Sequence, residues 1–90
     1  MNTKVKAIVT RRTTYAFGDE ATEQMRWVGS VLERTGLNQR ELANKLHMTR
    51  QSISALLHDR AKMSFVTVFT ICKQCGLDDD PEEVYKRISN

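Results

Sequence analysis

One proline, two cysteines, one tryptophan and an aromatic content of 7% are sparse ingredients for a chain of 90 residues. Cys72 and Cys75 are three residues apart and do not make the disulfide framework of a small secreted scaffold. No apolar run approaches the roughly 18 residues that a membrane helix needs. The first residues lack the hydrophobic stretch and small-residue cleavage site of a secretory signal. The expected location is therefore the cytoplasm. Missing too are a glycine-rich phosphate loop, a nucleophile elbow and a pair of catalytic acids. His47 and His58 have no organised carboxylate or serine beside them, so an enzyme is not expected. The Cys72-x-x-Cys75 pair has no second cysteine pair or paired histidines to complete four zinc ligands. Both cysteines fall at apolar positions of a helical pattern, so core packing is the expectation, with no metal and no cofactor.

What is present is ordinary globular composition, 40% hydrophobic and 28% charged, in a length that suits one small domain. The formal net charge of +3 hints only weakly at an anionic partner, but its placement says more. Lys4, Lys6, Arg11 and Arg12 stand in residues 1–17 with no acid among them. Arg40, Lys45, Arg50, Arg60 and Lys62 outnumber Glu41 and Asp59 in residues 36–62. Acids outnumber bases in the two remaining blocks. A protein that meets phosphates from one side shows this asymmetry.

Val5, Ala7 and Val9 alternate with Lys4, Lys6 and Thr10, which predicts a short β-strand or an extended arm over residues 1–18. A single domain is then expected over residues 19–90. Helical spacing of Ala21, Met25, Val28 and Leu32 predicts a helix from about residue 20 to Thr35, stopped by Gly36. Asn38 with Glu41 makes a capping-box pair for a helix over about 39–46. Thr49 caps another over about 50–58, with Ile53, Leu56 and Leu57 as its apolar positions. Ser64 starts a fourth, to about Cys75, in which Phe65, Val68, Phe69 and Cys72 form an apolar stripe. Gly76 ends it and Leu77 is placed to fold back on its last turn. Asp80-Pro81-Glu82-Glu83 opens a fifth helix, with Val84 and Ile88 on its inward side.

Two short helices separated by so few residues make a helix-turn-helix pattern. The segment LNQRELANKLHMTRQSISALLHD, residues 37–59, resembles the λ-repressor and Cro-like helix-turn-helix family. The matching residues are Gln39, Leu42-Ala43 and Leu46 in the first motif helix, then Thr49, Ile53-Ser54 and Ala55-Leu56 in the second. The likeness continues through Ser64, Val68, Ile71, Cys72, Cys75, Gly76 and Leu77, and covers about residues 20–88. It departs from the family at His47, where glycine is commonest, and at Leu57 and Met63, where an acid and a proline are frequent. Leu57 suggests a helix that packs on something additional, such as the arm or a second subunit. The fold class implied is all-α: a five-helix λ-repressor-like domain preceded by the arm or strand.

The resemblance implies binding to double-stranded DNA, with the second motif helix laid in the major groove and its first side chains against base edges. Arg50 is suited to guanine O6 and N7 and Gln51 to adenine or to a bridge to a phosphate, while Ser54 and Ala55 one turn later are placed for a base edge or a thymine methyl. Gln39, Lys45, Thr49, Ser52, His58, Arg60 and Lys62 are the expected phosphate contacts. Lys4, Lys6, Arg11 and Arg12 of the arm are further candidates for the backbone or a minor groove. The expected function is a repressor binding a palindromic operator as a homodimer. Its dimer surface is either strand pairing through Val5, Ile8 and Val9 or the last helix with Tyr85 and Ile88. An antitoxin that neutralises a toxin and represses its own promoter is the alternative.

Overall fold

In a computed structural model, which describes residues 17–90, five helices follow one another: α1 (Glu23–Thr35), α2 (Gln39–Leu46), α3 (Arg50–Leu57), α4 (Phe65–Gln74) and α5 (Pro81–Ser89). No strand occurs among the described residues. The expected arm or strand, with Lys4, Lys6, Arg11 and Arg12, lies outside them.

Each helix begins where a short polar side chain can take up an orphan N–H group. Asn38 accepts from the Glu41 N–H at 2.8 Å while Glu41 accepts from the Asn38 N–H at 2.9 Å, the reciprocal pair that the spacing predicts. Thr49, Ser64 and Asp80 cap α3, α4 and α5. The start of α1 lies three residues later than the apolar spacing suggests. Thr22 caps it, and the Met25 sulfur accepts from the Thr22 N–H at 3.3 Å in the place a glutamate or glutamine usually takes. Gly36 and Gly76 close α1 and α4 at positive φ, and the Leu77 N–H reaches back to the Cys72 carbonyl at 2.9 Å.

Leu42 and Ala43 of α2, Ile53, Leu56 and Leu57 of α3, and Val68, Ile71 and Cys72 of α4 fill the space beneath α1 and α5. Each large aliphatic group buried there contributes roughly 1.5–3 kcal/mol. Ala43 lets α2 and α3 approach closely. Leu57 is 0% exposed within this core, so its departure from the family pattern needs no second subunit. Met63, where the family often has a proline, is buried too. Ile88 is 8% exposed and belongs to the core, so the chain's own packing accounts for this apolar residue. Phe65 and Phe69 are displaced from the predicted stripe: Val68, Ile71 and Cys72 turn inward, and the two phenylalanines stand on the outer flank of α4.

Two long-range links hold the helices in register. At one end, Trp27 Nε1 donates to Asp79 Oδ2 at 2.9 Å, and the Arg34 guanidinium donates to both oxygens of the same carboxylate, at 2.7 and 3.1 Å. At the other, Gln24 near the start of α1 bonds to the backbone at the end of α3 and of the loop beyond it.

Candidate nucleic-acid interface

α2 and α3 are joined by His47, Met48 and Thr49 alone, so the turn between them is tight. His47 makes that turn in the left-handed region (φ 59, ψ 41). The Met48 N–H then bonds to the Ala43 carbonyl at 2.8 Å, and Met48 packs against the core. Histidine tolerates this conformation less well than glycine but better than a β-branched residue. The geometry presents the first turn of α3 outward with Arg50 and Gln51 both exposed. Ser54 and Ala55, one turn on, are half-buried. Ile53, Leu56 and Leu57 anchor the opposite side.

The first turn of α3 contains no acid, so the positive end of its dipole and the Arg50 guanidinium act in the same sense. Thr49 Oγ1 accepts from the Ser52 N–H at 3.0 Å and lies 2.9 Å from Ser52 Oγ. One hydroxyl hydrogen of that pair is used between them and the other is left for a further acceptor. Lys45 stands exposed in the last turn of α2, and Gln39 is half-buried at its first position. His58 Nδ1 is 2.9 Å from the Ser54 carbonyl. With the proton on Nδ1 the ring donates there, and Nε2 offers a phosphate a donor only in the imidazolium form. Arg60 and Lys62 project from the loop between α3 and α4, both exposed.

The acids of this segment are turned to local use. Glu41 closes the capping box of α2. Asp59 follows α3 at φ 58, its carboxylate largely covered, with Oδ1 lacking a hydrogen bond and 3.9 Å from Lys62 Nζ. The described phosphate candidates lie on α2, on α3 with its cap, and in the loop between α3 and α4. Burial pushes the Cys72 and Cys75 thiols upward in pKa, with Lys45 opposing at Cys75. Sequence reasoning did not single out Gln24, whose polar side chain lies within an apolar helical run and whose partners are 32 to 39 residues away.

A helix anchored on one face and polar at its exposed first turn, joined by a tight turn to a helix that braces it, defines a helix-turn-helix module. A family model described as helix-turn-helix matches residues 30–80, from within α1 to the cap of α5 and over more than half of the chain. The chain belongs to the Cro-type helix-turn-helix family, and it is a DNA-binding transcription regulator of that class. A search of curated proteins finds no match. No described helix is long and apolar enough to cross a membrane.

Proposed function

We propose that the protein is a sequence-specific repressor that binds a palindromic operator as a homodimer. The observation that carries this reading is the exposure of Arg50 and Gln51 on the capped first turn of α3, with Ser54 and Ala55 behind them. Arg50 donates two parallel hydrogen bonds to a guanine and Gln51 pairs with an adenine. Gln39, Lys45, Thr49, Ser52, His58, Arg60 and Lys62 bind phosphates and set the register. The domain of residues 19–90 carries this chemistry, and the basic arm of residues 1–18 adds backbone contacts through Lys4, Lys6, Arg11 and Arg12. Repression by occluding a promoter is the outcome that binding alone achieves.

An eight-residue helix such as α3 is about 12 Å long and reaches only a few base pairs. Two copies are needed to specify an operator, with half-sites about 34 Å apart. Support for self-association comes from α4, where Phe65, Val66 and Phe69 are 37%, 70% and 43% exposed. Phe65 lies tilted against Phe69, ring centroids 6.2 Å apart, and meets Tyr85 edge-on at 5.8 Å, with Lys73 over Phe69. Exposed apolar groups gathered in this way are typical of interaction surfaces.

Selection of bound sites from random duplex DNA, repeated at two salt concentrations, tests the reading. The expected product is a pair of inverted half-sites one helical turn apart, bound less tightly at the higher salt. Recovery of no preferred sequence at either salt contradicts it.

A further inference from the structure

Gln24 is the one buried polar residue among those described, 1% exposed. Its Nε2 donates to the carbonyls of Leu56 and Ala61 at 3.0 and 2.8 Å, and its Oε1 accepts from the Met63 N–H at 3.1 Å. Only one orientation of the carboxamide satisfies all three. α3 closes without this help, because the His58, Asp59 and Arg60 N–H groups bond back to the carbonyls of Ser54, Leu56 and Ala55. The bonds to Ala61 and Met63 therefore act on the segment past the helix. That segment leaves α3 through the left-handed Asp59 and carries the exposed Arg60 and Lys62 before the chain is buried again at Met63.

We infer that Gln24 is a positioning residue of the DNA interface: it sets the path of residues 59–63 and so places Arg60 and Lys62 against the phosphates beside the groove that α3 enters. The inference rests on the DNA-binding reading above. Gln24 itself is buried and touches no phosphate. Its effect is to hold the loop where Arg60 and Lys62 reach the phosphates, so that both contacts are lost when the loop is released. Among the described residues, no hydrogen bond from the loop's own outer side supplies this restraint. Ala61 is exposed, and the Lys62 ammonium reaches only the Asp59 carboxylate, at 3.9 Å.

The test uses the whole chain and the operator recovered by selection. Binding is followed by fluorescence anisotropy from about 50 to 200 mM salt, at a temperature where circular dichroism shows every variant folded. Each phosphate contact contributes about 0.9 to the log–log salt slope, so loss of two makes the affinity fall about 12-fold less over that range. Gln24→Met is expected to show that reduction with its base preference unchanged. The Arg60→Ala/Lys62→Ala double variant should match it, and adding Gln24→Met to that double variant should lower the slope no further. Gln24→Glu keeps the acceptor for the Met63 N–H and loses the donors to Leu56 and Ala61. It is expected to give the same reduction, and it serves if Gln24→Met does not fold. A folded Gln24 variant with the wild-type slope and affinity overturns the positioning role alone. Wild-type protein with no salt-dependent binding removes the DNA reading itself, and this inference with it.

Discussion

Trp27 and Asp79, 52 residues apart in the chain, meet through a 2.9 Å hydrogen bond from the indole Nε1 to a carboxylate oxygen. Arg34 donates to both oxygens of the same carboxylate, so one side chain ties two points of α1 to the loop before α5. The Arg34 guanidinium, chiefly through these bonds, and then Trp27 lower the Asp79 pKa to about 2 against some opposition from burial. Because the folded-state value is lowered, the stabilisation is complete above about pH 4, where the unfolded carboxyl is ionised. It is lost as pH falls through about 2. With solvent screening at the half-exposed Arg34, the contribution is on the order of 1–2 kcal/mol. Urea unfolding from pH 5 to pH 2 should show wild type losing that much more stability than Asp79→Asn. Parallel curves contradict the assignment.

His47 holds a left-handed backbone and its side chain is exposed. The expected gain for His47→Gly is about 1 kcal/mol, since the strain at φ 59 is relieved and no buried contact is lost. Chemical denaturation reads the gain, and operator affinity should stay as it was. A less stable variant means that the histidine ring makes a favourable contact.

Asp59 combines a left-handed backbone with a covered carboxylate oxygen that lacks a hydrogen bond. Asp59→Gly removes both costs and takes a negative charge from beside Lys62. The variant should be more stable by about 1–2 kcal/mol and bind DNA more tightly at low salt. Melting curves together with anisotropy check the pair of effects. Weaker binding at low salt contradicts the claim that this carboxylate opposes the phosphates.

Gly29 lies in the middle of α1, where alanine ordinarily gains about 1 kcal/mol. A Cβ there would stand 2.6 Å from Cζ and 2.7 Å from Cε2 of Phe17, whose ring covers the glycine. Gly29→Ala should therefore give no gain in the wild-type background and recover it in Phe17→Ala. The double-mutant cycle is measured by urea unfolding. Equal effects in both backgrounds contradict the contact.

Val66 is 70% exposed and supports no part of the core, so Val66→Asp should leave the fold intact. If the proposed homodimer forms through α4, sedimentation velocity over a concentration series should show wild type dimeric and the variant monomeric. A variant that sediments like wild type moves the dimer surface away from α4.

Much of the fold was legible because its signals are local. The caps at Asn38, Thr49, Ser64 and Asp80 and the stops at Gly36 and Gly76 act within one turn of their own positions. The misplaced features depend on partners far away in sequence. Gln24 reads as an ordinary polar residue until the 56–63 backbone folds over it. Phe65 and Phe69 match a helical stripe as well as Val68 and Cys72 do, and the packing of α4 on both α2 and α5 decides which flank turns inward. Leu57 and Ile88 suggested a second subunit, but the chain's own core accounts for both.

The central claim is that α3 reads bases through Arg50 and Gln51. Its most direct test is the affinity of Arg50→Ala/Gln51→Ala for the selected operator and for an unrelated duplex, side by side at one salt concentration. With each bidentate pair providing roughly 1–3 kcal/mol of discrimination, operator binding should fall by about 100-fold or more while binding to the unrelated duplex changes little. Unchanged operator affinity in the folded double variant contradicts the account.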